Sequence, residues 1–166
     1  MKLRKLCHRD APLMLEWMHD PDCVENLQAN FASKTLEDCE RFVAYAQEPG
    51  EDLHLAIVDE NDTYMGTVSL KHIHDGRAEF AIAIRACAMG KGYSAWGMRT
   101  IIDMGLRELG LKEVYWCASP VNKRAVRFYD KNGFRRVDAA DISAKGYTSE
   151  QIKSYIWYSE SSHILN

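Results

Sequence analysis

The chain has 166 residues, 46% of them apolar and 27% charged, which predicts one globular domain over residues 1–166 with a buried core. Its formal net charge of −3, with no run of Lys or Arg longer than two residues, excludes nucleic acid and anionic membranes as expected partners, because both require a basic patch. The five scattered cysteines form no C-x-x-C pair, and neither a signal-peptide core nor a membrane-spanning apolar run occurs, so we expect reduced thiols and a cytoplasmic protein.

The N-terminal region is predicted to hold a short strand and two helices. Alternating apolar and polar residues indicate a strand over 2–6. Asp10 lies where its carboxylate can cap a following helix, which Pro21 ends. The spacing Thr35-x-x-Asp38 resembles a capping box and predicts the start of a second helix.

The next segment is predicted to form three strands. Their ranges are 53–58, 64–73 and 77–84. Asp75-Gly76 is a strong signal for a tight hairpin turn between the last two strands, and Gly66 marks a bulge. His72 and His74 alternate along the second strand and are expected to face the same side. No third ligand follows them nearby, so a metal site is not expected.

A glycine loop follows the third of these strands. Its sequence is Gly90-Lys91-Gly92-Tyr93-Ser94, and the apolar residues after it recur at helical spacing to about residue 109. A strand, a glycine loop and a helix in this order present free backbone N–H groups at the helix N-terminus. That end carries partial positive charge and binds phosphate groups. An ordinary turn before a helix is the alternative, so the loop alone does not define a site.

The last third of the chain is predicted to complete a mixed sheet. It contains strands over 112–118, 133–137 and 155–159 and a helix over 121–131. A polar insert with Gly146 precedes the last strand. Helices first, then hairpins, then strand–helix units indicate the α/β class with a mixed sheet.

A second motif runs from Asn122 to Phe134. The residues that match Asn-x-x-Ala-x-x-x-Tyr-x-x-x-Gly-Phe are Asn122, Ala125, Tyr129, Gly133 and Phe134. Together with the glycine loop at this separation, the motif resembles the GNAT superfamily of acetyl-CoA-dependent N-acetyltransferases. The most similar branch is that of the ribosomal-protein and amino-sugar acetyltransferases. The resemblance covers nearly the whole chain and implies the acyl-CoA N-acyltransferase fold, a central, mostly antiparallel sheet with flanking helices.

The phosphate loop of this family follows the pattern Gln/Arg-x-x-Gly-x-Gly/Ala, and the chain departs from it twice. Met89 stands at the first position and Ser94 at the last. The loop binds mainly through backbone N–H groups, and the Ser94 hydroxyl can itself donate to a phosphate oxygen. We therefore expect cofactor binding to survive both departures.

The resemblance also implies which residues bind acetyl-CoA. Ile82, Ala83 and Ile84 would lie along the pantetheine arm and exchange backbone hydrogen bonds with it. The implied cofactor-binding set is Ile82, Ala83, Ile84, Gly90, Lys91, Gly92, Tyr93, Ser94, Ala95 and Asn122. No metal is implied.

Tyr129 and Glu79 are the candidate catalytic residues. A phenol at the matched motif position can protonate the CoA thiolate as it leaves. A protonated amine must lose a proton before it attacks a thioester, and Glu79 matches an acidic position of many relatives. Some relatives instead use a glutamate five residues before the motif asparagine, where this chain has Cys117, a poor base. The alternatives are a Tyr129 that packs on the sheet and a Glu79 that is solvated or paired within the hairpin.

The sequence thus predicts an enzyme that moves an acetyl group from acetyl-CoA to a primary amine by direct attack on the thioester. A non-catalytic acyl-CoA-binding regulatory module and a transferase for longer acyl chains are the alternatives. A covalent route through Cys87 or Cys117 lacks a paired histidine in an evident motif. The acceptor, a small molecule or a peptide, stays open, as does a homodimer, although the acidic balance favours a cationic amine.

Overall fold

A seven-stranded sheet forms the centre of the computed structural model, which describes residues 1–25, 27, 29–142 and 144–162. The strands are β1 (Lys2–Lys5), β2 (Leu53–Val58), β3 (Tyr64–His74), β4 (Arg77–Ile84), β5 (Glu113–Ala118), β6 (Arg136–Val137) and β7 (Ile156–Ser161). Their order is β1-β2-β3-β4-β5-β7-β6. Only β4 and β5 run parallel, and the other neighbours are antiparallel. This confirms the mixed, mostly antiparallel sheet.

The sheet is flanked by helices, four of which match predicted positions. The helices are α1 (Ala11–Met18), α2 (Pro21–Val24), α3 (Leu36–Tyr45), α4 (Tyr93–Asp103), α5 (Lys123–Lys131) and α6 (Ser149–Ser154). The predictions did not include α2 and α6, because helices of four and six residues are too short to show a 3.6-residue period. None of the helices in the described ranges has the length and apolar character needed to cross a lipid bilayer.

One face of the sheet is apolar and carries α4 and α5. Its core includes Ile57, Val68, Leu70, Phe80, Met98, Ile101 and Trp116. Burial of each large apolar side chain contributes about 1.5–3 kcal/mol.

At Gly97 a Cβ would lie 2.4 Å from Cδ1 of Ile57, so glycine lets α4 approach the sheet closely. Two glycines also explain α4's position in the chain, because Gly92 precedes it and Gly110, with φ of +69°, follows its π-helical last turn.

The opposite face carries α1 and α3 at one side and an aromatic cluster at the other. Trp17, Val43 and Tyr64 belong to the first group, and Tyr115 and Trp157 belong to the second. The space between the two groups is where the sheet remains uncovered.

The predicted cap at Asp10 is wrong in its details. No side chain caps α1. The Asp10 carboxylate instead accepts the N–H of Cys7 at 2.9 Å and two hydrogen bonds from Arg4, at 2.7 and 2.8 Å. It therefore closes the 3₁₀ turn before α1 and ties that turn to β1. The capping box at Thr35 and Asp38, by contrast, is confirmed.

Strand β3 contains two bulges. At the first, Gly66 pairs with Ile57 and Tyr64 with Val58, so Met65 is the extra residue and the predicted bulge at Gly66 is confirmed to within one position. At the second, His72 has a left-handed φ of +54°.

The second bulge does not separate His72 from His74, which were expected to face the same side. Lys71 pairs with Glu79 and His74 with Arg77, so two β3 residues face one residue of β4. His72 lies 3.7 Å from Glu79, and His74 pairs with Arg77, which shares the face of Glu79 because it lies two residues away on the same strand. The extra residue breaks the two-residue alternation, so the shared side has a different origin from the one predicted.

Candidate active site

A cavity of about 790 Å³ opens on the α1 and α3 side of the sheet. Its floor is formed by alternate residues of the strands, because successive side chains point to opposite faces. The floor residues are His54, Thr67, Ser69, Lys71, Glu79, Ala81, Ala83 and Cys117. We call this cavity the cleft.

The cleft deepens where β4 and β5 separate. These strands pair at three positions only, from Arg77 with Glu113 to Glu79 with Tyr115. Beyond that point β4 stays paired with β3, and β5 stays paired with β7. Residues of the other sheet face, Phe80, Ile82, Trp116 and Ala118, also line the cleft here. The two strand edges therefore offer main-chain donors and acceptors to a bound molecule.

The cleft brings together five of the predicted site residues. Its lining contains Glu79, Ile82, Ala83, Asn122 and Tyr129. The side chain of Ile84, by contrast, belongs to the apolar core. The loop residues Gly90, Lys91, Gly92, Tyr93, Ser94 and Ala95 also lie outside the lining, at the start of α4.

The glycine loop has a backbone suited to an anion. Gly90 and Gly92 have φ values of +74° and +87°, which L side chains rarely adopt. No side chain of the described residues caps α4. Among the described residues, the first N–H of this helix with a protein acceptor is that of Trp96, which donates to the Gly92 carbonyl over 3.0 Å. The N–H groups of residues 93–95 are therefore available to solvent or to a phosphate.

Helix α5 contributes Tyr129 and Asn122 to the cleft. Tyr129 is 8% exposed, and its ring centroid lies 5.8 Å from that of Trp116 and 5.0 Å from that of Tyr158. Burial raises the pKa of Tyr129 above its usual range, so the phenol is protonated at neutral pH. Asn122 caps the helix, because its Oδ1 accepts the N–H of Ala125 over 3.0 Å.

Glu79 is a buried carboxylate, 3% exposed, whose two oxygens have different surroundings. Its Oε1 accepts a hydrogen bond of 2.6 Å from the Tyr147 hydroxyl and lies 3.4 Å from Nζ of Lys71. Its Oε2 has no hydrogen-bond partner among the described residues and lies 3.7 Å from Nε2 of His72. The bulge in β3 explains how two successive side chains, Lys71 and His72, both reach this carboxylate. Glu79 is thus not solvated.

Tyr147 is a cleft residue that the sequence analysis missed. It lies in the polar insert between β6 and β7, and its ring packs against Tyr155 and Trp157 with centroid distances of 6.2 and 5.2 Å. Besides its bond to Glu79, its hydroxyl accepts the S–H of Cys117 over 3.5 Å. No motif surrounds Tyr147, so only the folded chain reveals it.

The environment of Cys117 agrees with the expectation of a poor base. Burial raises the pKa of this thiol to about 11, with a smaller contribution from the charge of Glu79. The thiol is therefore protonated at neutral pH.

The outer walls of the cleft are aromatic and carry charges of both signs. The aromatic lining residues beside Tyr129 are Trp17, Phe31, Phe42, Phe80, Trp116, Tyr147 and Tyr155, and the charged ones are Glu25, Lys34, Asp38, Lys71 and Glu79. Asp38 already accepts the N–H of Thr35 and a bond from Arg41, which together lower its pKa to about 2. His54 is a second buried group: its Nδ1 lies 2.7 Å from the Ser69 hydroxyl, while its Nε2 has no hydrogen-bond partner among the described residues and lies 3.7 Å from the Asp52 carboxylate.

The open wedge between β4 and β5, the uncapped glycine loop and the motif on α5 define an N-acetyltransferase architecture. A family comparison matches residues 1–135 to the acetyltransferase (GNAT) domain. The chain therefore belongs to the GNAT acetyltransferase family. The predictions of this fold and of an acetyl-CoA-dependent N-acetyltransferase are confirmed.

Several known proteins are similar to the chain. The uncharacterized N-acetyltransferase p20 of Bacillus licheniformis is 22% identical over 141 residues, which are 82% of this chain and 79% of that protein. The spermidine N-acetyltransferase of Vibrio cholerae, solved in complex with CoA and spermine, has a TM-score of 0.81 at 18% identity over 99% of this chain and 98% of its own. A GNAT-family acetyltransferase of Bacillus anthracis has a TM-score of 0.74 at 17% identity over 97% and 94% of the two chains. At these identities the two solved structures support the fold alone.

Proposed function

We propose that the cleft transfers an acetyl group from acetyl-CoA to a primary amine, with Glu79 as the general base and Tyr129 as the general acid. The observation that carries this proposal is that both side chains line one cleft at the point where β4 and β5 separate. A wedge between strands admits an extended chain that pairs with main-chain groups, and the uncapped start of α4 suits the phosphates of the same molecule.

The residues proposed to hold the CoA moiety divide by the groups they offer. Residues 82–84 would offer main-chain groups of β4 to the pantetheine arm, and residues 90–95 would offer N–H groups to the pyrophosphate. Asn122 has its Oδ1 engaged in capping α5, which leaves its side-chain N–H₂ for a carbonyl of the arm. The bound thioester would supply the acetyl group and a thiolate leaving group.

The proposed chemistry removes two protons from the amine nitrogen and delivers one to the departing sulfur. Oε2 of Glu79, which has no hydrogen-bond partner within the described ranges, would take a proton from the acceptor ammonium, directly or through a water. The neutral amine would form a C–N bond with the thioester carbonyl, and its nitrogen would release a second proton to solvent as the C–S bond breaks. A main-chain N–H of β4 would polarise the carbonyl, and Tyr129 would donate its proton to the departing sulfur. The buried phenol is protonated beforehand, which is the state that this step requires.

For the acceptor we propose an amine with a single positive charge on an uncharged or aromatic body. Two of the three lining carboxylates are already engaged, Asp38 with Thr35 and Arg41, and Glu79 with Lys71. A polyamine would require several free carboxylates, whereas the aromatic walls suit one apolar or sugar-like body. Nε2 of His54, which has no hydrogen-bond partner among the described residues and lies 3.7 Å from Asp52, would bind a hydroxyl or carbonyl of that body. The enzyme would act in the cytoplasm, where its five free thiols would stay reduced.

An acceptor screen with acetyl-CoA tests the proposal, with release of free CoA thiol as the signal. We expect glucosamine, tyramine or an amino-acid amide to react faster than spermidine at equal concentration. Spermidine as the best acceptor would contradict the proposed acceptor class, and longer acyl-CoA donors in the same assay would define the chain-length preference. Failure of every amine, with CoA binding intact, would favour the binding-module alternative.

Replacement of Tyr129 by Phe tests the acid. The ring packing is kept while the proton donor is lost, so kcat should fall by about 10²- to 10⁴-fold, the usual contribution of general acid catalysis. CoA affinity, measured by calorimetry, should be unchanged. An unchanged kcat would mean that Tyr129 only packs against Trp116 and Tyr158.

A further inference from the structure

The Tyr147–Glu79 contact joins two distant parts of the chain. Glu79 lies on β4, and Tyr147 lies in the insert before β7, 68 residues further along the chain. The 2.6 Å hydrogen bond between them is short, as expected when a hydroxyl donates to a charged acceptor. Burial, together with the nearby charge of Glu79, raises the pKa of Tyr147 above its usual range, so the hydroxyl keeps its proton and remains a donor.

The two oxygens of Glu79 are in different environments. Oε1 has both Tyr147 and Lys71 beside it, whereas Oε2 has no hydrogen-bond partner among the described residues. A buried carboxylate oxygen without a partner costs free energy, and the bond on Oε1 determines which oxygen stays free. The free oxygen belongs to a residue that lines the cleft where an amine would bind.

The ring of Tyr147 is itself held in place. It packs against Tyr155 and Trp157, and the buried Trp157 donates its indole N–H to the Ile152 carbonyl over 2.8 Å. The Tyr147 hydroxyl can therefore maintain one position without support from the substrate. The Cys117 thiol, which stands where some relatives have a glutamate, donates to the same hydroxyl.

We propose that Tyr147 is a positioning residue of the acetyl transfer: it holds Oε1 of Glu79 so that Oε2 faces the acceptor amine. This inference rests on the proposed role of Glu79 as the base and extends the site to the insert between β6 and β7. Tyr147 does not touch the reacting atoms in this proposal. It acts through the orientation and the charged state of Glu79.

Any test that uses pH must distinguish Glu79 from the other titratable groups that face it. They are Lys71 and His72 from β3, Tyr115 and Cys117 from β5, and Tyr147 from the insert. A hydrogen bond donated to a carboxylate stabilises its charged form, which is the form that accepts a proton. Without that bond, the enzyme should already lose activity at a higher pH when the pH is lowered.

The test measures kcat/KM against pH for Tyr147→Phe, Glu79→Gln and the double variant. Tyr147→Phe should lower kcat/KM by about 10- to 100-fold, the range of a hydrogen bond to a charged group, and shift the acid limb of the profile up by about one pH unit. In the Glu79→Gln background, Tyr147→Phe should cost little, because the group through which it acts is absent. CoA affinity and the thermal midpoint of each variant show whether the fold is intact.

Tyr45→Phe is the matched control. Tyr45 lies half exposed outside the cleft lining, and its hydroxyl donates to the carboxylate of Asp52 over 3.0 Å, the same kind of bond in another place. The Tyr45→Phe variant should leave the dependence of kcat/KM on pH unchanged. A His72→Gln variant assigns the limb, since His72 also lies near Oε2: the limb should survive in this variant and disappear in Glu79→Gln.

The outcomes separate the proposed positioning role of Tyr147 from the proposed role of Glu79 as the base. Equal losses from Tyr147→Phe in both backgrounds, with no shift of the limb, would show that Tyr147 only supports the packing of the insert, and the positioning role would be wrong. Near-normal activity of Glu79→Gln would show instead that the base itself is misassigned. If Tyr147→Phe does not fold, Tyr147→Trp provides a second variant that fills the space without a phenolic donor, with the same expected shift of the limb.

Discussion

The glycine loop and the floor of the cleft are both suited to charged partners, but they consist of different chemical groups. The loop offers main-chain N–H groups, placed by the left-handed backbone of Gly90 and Gly92. The cleft floor offers side chains from separate parts of the chain, among them Lys71 of β3, Glu79 of β4 and Tyr147 of the insert. A main-chain site tolerates most side-chain changes, whereas a side-chain site depends on each member.

This difference explains why departures from the family pattern matter unequally. Met89 and Ser94 replace residues of the loop pattern, but the N–H groups of the loop do not depend on those side chains. Cys117 stands where some relatives carry a catalytic glutamate, and at that position the function depends on the side chain. In this chain the buried carboxylate of the cleft floor is Glu79, and Cys117 is connected to it through Tyr147.

The largest effect is expected for Glu79→Gln in the cleft floor. The amide keeps the shape of the side chain but cannot accept a proton from the amine, so kcat/KM should fall by about 10²- to 10⁴-fold. CoA binding should not change, because the CoA-binding groups proposed here are elsewhere. Steady-state kinetics and calorimetry measure the two quantities. A change mainly in CoA affinity would contradict the division between loop and floor.

A smaller effect is expected for Gly92→Ala in the loop, and it should change the KM for acetyl-CoA rather than kcat. An alanine at φ of +87° is strained by about 1–2 kcal/mol, although its Cβ would approach only Cε of Met1, at 3.9 Å. The KM for acetyl-CoA should rise by about tenfold, with kcat nearly constant. Ser94→Ala is the matched control in the same loop and should change this KM far less, since it removes a hydroxyl and keeps the N–H. The opposite order would mean that the loop binds through side chains.

The smallest effect is expected for Cys117→Ser. Because burial raises the pKa of the thiol to about 11, Cys117 carries little thiolate at neutral pH and is neither base nor nucleophile. The serine hydroxyl can still donate to Tyr147, so the variant should retain most of the wild-type rate. Rapid mixing should show no acetylated enzyme before the first turnover. A large loss of rate, together with a trapped acetyl thioester in the wild type, would support the covalent route.

Local signals predicted most of the elements well. The capping box at Thr35, the Asp75-Gly76 turn and the glycine that ends α4 each depend on a few neighbouring residues, so the sequence alone was sufficient. The error at Asp10 has the opposite character, because its carboxylate binds Arg4 of β1 and closes a 3₁₀ turn instead of capping α1. The bulge at His72 was not predicted either, since it is defined by the pairing of β3 with β4.

The same division holds for the site. The sequence by itself determined the family, the glycine loop and the motif on α5, because these are contiguous patterns whose function lies largely in the local backbone. Only the tertiary structure decided that Glu79 is buried, that Tyr147 binds its Oε1, and that no described residue forms a hydrogen bond with its Oε2. The physical reason is that a buried carboxylate depends on partners that any part of the chain can supply. A separation of 68 residues leaves no local pattern in the sequence, whereas in the folded chain the hydroxyl oxygen of Tyr147 lies 2.6 Å from Oε1 of Glu79.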